Sequence, residues 1–266
     1  MLTRRIITSI ILITISAVAI FFELPSALIL TGLIVGSLYE FFTMLQNKGI
    51  SIYKYFGTVM GAVIPLSITF RFELTRGWEL LFMVLAFLFL ILMQFKRHSN
   101  TGAIADISTT IFGVFYISWF LSFLIKIRYM PGGIGLLAAV LLITKLGDIG
   151  AYLVGTRFGK TPFMPRISPN KSVEGAIGGL VFSVLGALAS KPFLDLSYVH
   201  LVLIGIGLGA LAQLGDLSES LIKRDCQVKD SGNILPGLGG FLDIMDSLLF
   251  SAPSFYFYMN IVLKLI

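Results

Sequence analysis

Apolar runs of about 20 residues, each long enough to cross a lipid bilayer, recur along the whole of this chain. They fall at about 6–22, 26–45, 55–71, 78–95, 102–125, 133–155, 174–190, 198–221 and 240–263. In hydrocarbon every backbone N–H and C=O must be satisfied within the protein, so runs of this length specify helices. The expectation is an all-α, polytopic membrane protein of about nine transmembrane helices. Composition agrees, since 56% of the residues are hydrophobic and only 13% are charged. That is about half the charged fraction of a soluble domain, too little to cover a water-facing surface. The first run, behind Arg4 and Arg5, looks like a signal peptide. Glu23-Leu24-Pro25 follows it in place of a small-residue cleavage site, and it is read as a helix that stays.

Orientation follows from the basic residues. With the N-terminus inside, one side collects Arg4, Arg5, Lys48, Lys54, Lys96, Arg97 and all the lysines and arginines of two long polar loops, about 156–173 and 222–239. The other side carries only Arg71, Arg76, Lys126, Arg128, Lys191 and Lys264. The positive-inside rule then predicts a cytoplasmic N-terminus, a C-terminus on the outer side, and both polar loops in the cytoplasm. The net charge of +6 suits anionic lipid headgroups and anionic cytosolic ligands, or simply enforces this topology. Cys226 is the single cysteine and cannot form an intramolecular disulfide.

Residues 1–130 read as a scaffold of membrane helices giving lipid access, and 131–266 as the catalytic part. Little chemistry falls in the first part. Glu40, near the cytoplasmic end of the second run, reads as an interfacial residue rather than a ligand. Phe112, Phe115, Tyr116, Trp119 and Phe120 read as packing or lipid-facing aromatics. His98 and His200 have no companion at metal-ligand spacing, so a zinc site is not expected.

The second part differs. Lys145 and Asp148 lie three apart on one helical face inside a span, where opposite charges pair with each other or line a wet cavity. A purely structural ion pair is the alternative. The loop at 156–173 is basic, and its end from Ser168 to Glu174 has the residues that open a helix, with Lys171 and Ser172 beside the free N–H groups that can hold phosphate. Taken alone, that loop reads more simply as a positive-inside loop before a capped helix. Asp216, Glu219, Ser220 and Lys223 share one helical face, and Asp243 and Asp246 share another, a turn inside the last span. Pro236, Gly237, Gly239 and Gly240 just before them allow a tight turn and close approach to a ligand. Carboxylates converging without histidine or cysteine favour a hard cation, Mg²⁺ above all. Acids around a metal with lysine and arginine nearby are what phosphoryl or nucleotidyl transfer requires. The same carboxylates could serve an ion-coupled transporter, but they gather at one end and in two loops rather than midway through the helices.

In these segments the chain resembles the phosphatidate cytidylyltransferases, or CDP-diacylglycerol synthases. Their C-terminal signature runs S-x-x-K-R-x-x-x-x-K-D, then a short spacer, then P-G-H-G-G-x-x-D-R-x-D. Ser220, Lys223, Arg224, Lys229 and Asp230 stand in step with it, as do Pro236, Gly237, Gly239, Gly240, Asp243 and Asp246. Leu238 and Ile244 stand where the family has His and Arg. The match is strong over about 140–253, and a signature of this length is far more specific than a lone glycine motif. The resemblance implies that CTP and phosphatidate give CDP-diacylglycerol and pyrophosphate, the phosphatidate oxygen attacking the α-phosphorus of CTP. It implies Asp216, Asp243 and Asp246 as ligands of Mg²⁺, with Glu219 and Asp148 behind them and a second cation left open. Asp243, Asp246, Lys223 and Lys229 would be catalytic, and Lys145, Lys171, Ser172, Ser220, Arg224 and Asp230 would bind substrate. The expected partners are CTP, phosphatidate and membrane lipids, with no nucleic acid and a homodimer left open. The expected place is the plasma (inner) membrane, with the site facing the cytoplasm. Another lipid acceptor, such as an isoprenoid alcohol or an ether-linked glycerophosphate, is the alternative that Leu238 and Ile244 keep open.

Overall fold

A computed structural model of the chain describes residues 20–71, 78–96, 101–234 and 239–265. Helices α1 (Glu23–Asn47), α2 (Lys54–Thr69) and α3 (Trp78–Phe95) come first. A long rod follows, made of α4 (Ala103–Gly113), a π-helical stretch (Val114–Trp119) and α5 (Phe120–Arg128). Then come α6 (Gly133–Phe158), α7 (Val173–Ala189), α8 (Tyr198–Asp225), α9 (Phe241–Met245) and α10 (Leu248–Leu265). Each apolar run after the first is helical, the last of them in two pieces. The first run lies almost wholly outside the described residues.

Four of the described stretches, Glu23–Asn47, Ala103–Arg128, Gly133–Phe158 and Tyr198–Asp225, are long and apolar enough to cross a bilayer. Helix α7 is apolar but shorter, at 17 residues. The hydrophobic core draws on both halves of the chain. Ile34, Leu38, Phe41 and Phe42 of α1 are buried with Ile117, Leu121 and Leu124 of the long rod and with Leu249 and Phe255 of α10.

The structure departs from the expected fold in two places. Between α6 and α7 lies an antiparallel hairpin, β1 (Pro162–Met164) with β2 (Ser168–Ser172), so the chain is mostly rather than wholly helical. Residues 168–172, expected to open a helix, are its second strand. The helix starts at Val173 behind Ser172, whose Oγ accepts from the Gly175 N–H at 3.1 Å. The Glu174 carboxylate pins the other end of the hairpin, accepting from Lys160 N at 3.1 Å, Thr161 N at 3.2 Å and Thr161 Oγ1 at 2.9 Å. The second departure is in the last span, which is broken at Asp246–Ser247 into α9 and α10.

Helices α6 and α7 form the most extensive pair in the molecule, because small residues let their backbones meet. A Cβ on Gly147 would come within 2.3 Å of Ser183 Oγ, and one on Gly175 within 3.1 Å of Gly155 Cα. This tight pair and the hairpin that joins it form one wall of the cavity described next.

Candidate active site

A cavity of about 510 Å³ opens between α6, the hairpin, α7, α8 and the break between α9 and α10. Lys145, Asp148, Lys171, Asp216, Asp243 and Asp246 line it. Phe163 of β1 and Tyr152 of α6 line it as well, both exposed.

The break in the last span is what brings Asp246 there. Helix α8 approaches it so closely that a Cβ on Gly215 would lie 2.3 Å from the Asp246 carbonyl oxygen. Asp216, the next residue, is thereby set beside Asp246. The break also frees backbone groups, and side chains take them up, as a non-aqueous setting demands. Asp246 Oδ1 accepts from Ser247 N at 2.5 Å. Lys145 Nζ donates to the Ile244 carbonyl at 3.0 Å, to Ser247 Oγ at 2.9 Å and to Asp148 Oδ2 at 3.1 Å. All three ammonium protons of Lys145 therefore have acceptors. Ser247 Oγ lies 3.1 Å from Asp148 Oδ2 as well. Across the cavity Lys171 Nζ pairs with Asp216 Oδ2 at 2.5 Å, and Ser220 Oγ donates to Asp216 Oδ1 at 3.3 Å.

A second cluster stands behind this one. Lys223 Nζ donates to Asp243 Oδ1 at 2.6 Å and forms an ion pair with Glu219, whose side chain is enclosed. Asp243 Oδ2 accepts from Ser231 N at 2.9 Å, Ser231 Oγ at 2.8 Å and Gly240 N at 2.7 Å. The left-handed Gly239, at φ +92°, lets the backbone fold back over this carboxylate. Ser231 Oγ also lies 3.0 Å from Glu40 Oε2, so its one proton is shared between the two carboxylates. Taking such charges from water costs several kcal/mol each, so they persist only as pairs.

Asp243 and Asp246 were expected to share one face. Both line the cavity from helical backbone, Asp243 bonded as well to Lys223 and Ser231, and Asp246 set beside Asp216. Of the other expected site residues, Lys145, Asp148, Lys171, Ser172 and Asp216 line the cavity together. Glu219 and Lys223 stand behind Asp243, and Ser220 braces Asp216. Arg224 reaches the carbonyls of Ile167 and Val228, each at 3.3 Å, and so ties the hairpin to the end of α8. Lys229 and Asp230 are exposed and do not line the cavity. Pro236, Gly237 and Leu238 lie outside the described residues.

Glu40 is the residue that sequence reading assigned to the interface and that the fold places inside, only 3% exposed. An ionisable residue within an apolar run was the available signal. Tyr116 likewise belongs to more than packing, since its hydroxyl lies 2.6 Å from Ser218 Oγ on α8.

Among the described residues no three of His, Cys, Asp and Glu form a ready-made metal cage. The carboxylates of Asp148, Asp216 and Asp246 nonetheless come from three helices to one cavity, with oxygen the only donor type. That fits Mg²⁺, which keeps several waters and takes one or two carboxylates plus substrate phosphates.

Comparison with known proteins places the chain in a family. The sequence model of the cytidylyltransferase family matches residues 3–262. The chain is 33% identical over 240 residues to a phosphatidate cytidylyltransferase of Bacillus subtilis, spanning 89% of each protein. It is 33% identical over 256 residues to one from Synechocystis, spanning 85% of each. A phosphatidate cytidylyltransferase of Staphylococcus aureus is 38% identical over 172 residues, 64% of this chain and 65% of that one. With the match running nearly end to end, the chain belongs to the cytidylyltransferase family.

Proposed function

We propose that this protein transfers the cytidylyl group of CTP to phosphatidate, giving CDP-diacylglycerol and pyrophosphate for phospholipid synthesis. The observation that carries this reading is the pairing inside the cavity. Asp148 and Asp216 are held there by Lys145 and Lys171. A cation bound with a triphosphate can replace both members of such pairs at once, leaving no charge unmatched in a partly desolvated site. Lys145 and Lys171 would then be free to hold phosphate oxygens, and Asp148 and Asp216 to hold the cation. Bound there by Asp216, Asp246 and Asp148, Mg²⁺ would polarise the phosphate oxygens and offset charge on the leaving pyrophosphate.

The chain's own groups would do the rest. Lys171 and the N–H groups at the start of α7 hold phosphate, while the exposed hairpin, with Phe163 and Asn170, leaves room for the nucleoside. Nucleotidyl transfer asks the protein mainly for alignment and neutralisation of developing charge. The lipid's acyl chains stay in the bilayer and its phosphate enters from the side of the helices. The lysine and arginine bias supports about nine spans, with the N-terminus inside and the C-terminus outside. In that orientation the cavity mouth and hairpin would face the cytoplasm, where CTP is, from the plasma membrane.

The test is pyrophosphate release by purified protein with Mg²⁺, CTP and phosphatidate, against controls lacking each in turn. Release that needs all three, with a lipid-soluble CMP-containing product, is expected. Release with a different lipid but not phosphatidate would change the acceptor, and silence with every lipid would overturn the reading.

A further inference from the structure

Helix α9 is only five residues long, yet it carries Asp243 and is followed directly by Asp246. So short a helix cannot hold its own orientation, and its first backbone N–H groups have no intrahelical acceptor. The cap residue, Gly240, has no side chain to supply one. Two carboxylates do so instead. Asp243 Oδ2 takes Gly240 N at 2.7 Å, and Glu40 Oε2, from α1, takes Leu242 N at 3.1 Å. Glu40 lies 202 positions from Leu242 and 191 from Ser231, to which the same oxygen is bound at 3.0 Å.

The backbone closes tightly over this carboxylate. A Cβ on Gly232 would come within 2.4 Å of Glu40 Oε1, and one on Gly240 within 2.3 Å of Oε2. Among the described residues, Glu40 Oε1 is buried without a hydrogen-bond partner. A buried acid in an apolar helix, incompletely satisfied, is costly where an apolar side chain would fill the same space. What the acid supplies and the apolar residue cannot is a fixed acceptor for Leu242 N and Ser231 Oγ. Through Ser231 it reaches Asp243 and then Lys223.

We propose that Glu40 is a positioning residue for cytidylyl transfer, anchoring α9 from the N-terminal half so that Asp243 and Asp246 are held in place at the cavity. The proposal rests on the reading of the reaction given above. Glu40 does not line the cavity and acts only through Ser231 and the start of α9.

The experiment compares Glu40→Gln, Glu40→Ala and Ser231→Ala by two independent readouts, steady-state kinetics and backbone hydrogen exchange over 226–245. Gln keeps an acceptor oxygen for Leu242 N and Ser231, so it should retain most of the turnover and protection. Glu40→Ala should lower kcat on the order of 100-fold, the scale of a misplaced catalytic group, while KM for CTP changes little. It should also speed exchange at Leu242 and its neighbours. Ser231→Ala should lower kcat in the same direction and, combined with Glu40→Ala, add little further loss. Wild-type kcat and unchanged exchange in Glu40→Ala would overturn the proposal. If Glu40→Ala does not fold, Ser231→Ala with unchanged kcat and exchange would overturn it equally. Inactive wild-type protein would count against the reaction instead, and the exchange comparison would still decide the anchoring role.

Discussion

Asp246 sits at the end of α9, where the last span breaks, and shares the cavity with Asp148 of α6 and Asp216 of α8. Replacing it with alanine removes the carboxylate proposed to hold Mg²⁺ and the partner of the Ser247 N–H, and leaves Lys145 on its three acceptors. The expected outcome is a fall in turnover of about 10²–10³, as for loss of a single charge-stabilising group, with the protein still folded in detergent. Assay of CDP-diacylglycerol formation beside a melting curve checks both parts. Lys223 has the opposite character. Only 11% of its side chain is exposed and it holds two acids that are still more enclosed, Glu219 and Asp243. Removing one member of such a cluster strands the others, at a cost of about 3–5 kcal/mol. Lys223→Met should therefore lower the melting temperature as well as activity, whereas Asp246→Ala should spare it. Cys226 supplies a third contrast. Burial pushes its thiol pKa up, with Lys48 drawing it partly back, so less thiolate is present near neutral pH than in a free cysteine. Alkylation of the native protein should be slow at pH 7.5 and accelerate as the pH rises, while detergent-denatured protein reacts at once. Fast labelling of the native protein would contradict the burial.

At the scale of elements, the helices are legible in the sequence because hydrocarbon leaves the backbone no other way to satisfy itself. The hairpin is not legible, since an apolar strand of three residues and a polar strand of five are too short to carry a periodic apolar signal. The break at Asp246–Ser247 is hidden for a different reason. Asp243 and Asp246 stand at a helical spacing, and nothing in that spacing tells that the helix stops at Asp246, where Gly215 of α8 approaches and Lys145 reaches the Ile244 carbonyl. The composition of the site was readable because its acids and lysines cluster in two polar loops and adjoining turns. Its partition into a cavity group and a supporting group was not, because Ser231, Glu40 and Asp243 meet only after folding. The hairpin's attachment yields its own prediction. Glu174 holds Lys160 and Thr161 at the start of β1, so Glu174→Gln should loosen residues 160–168 toward protease and raise KM for CTP severalfold. Because the cavity acids are untouched, kcat at saturating CTP should stay near the wild-type value. A loss confined to kcat would mean that the hairpin serves the chemical step rather than nucleotide capture.

Considered as a whole molecule, the protein concentrates its polar work at one end of an otherwise apolar bundle. The C-terminal ends of α1, α6 and α8 meet there, joined by an ion pair between Lys48 and Asp225 and by the contact of Arg224 with the hairpin. Lys160, Arg166, Lys171, Arg224 and Lys229 lie in the same region, and a basic end of this kind is retained on the cytoplasmic side during insertion. If the cavity faces the cytoplasm, the hairpin tip must be reachable from that side alone. A cysteine-free background, Cys226→Ala, with Ser168→Cys on β2, makes this measurable. In sealed right-side-out vesicles a membrane-impermeant maleimide should leave the new thiol unlabelled, and inverted vesicles should label it fully. Added CTP with Mg²⁺ should then slow labelling in the inverted vesicles, since Ser168 lines the cavity. Labelling from the outer side would reverse the orientation inferred from charge, and it would separate the nucleotide site from the compartment that supplies CTP. The topology and the chemistry thus stand or fall on one residue at the mouth of the cavity.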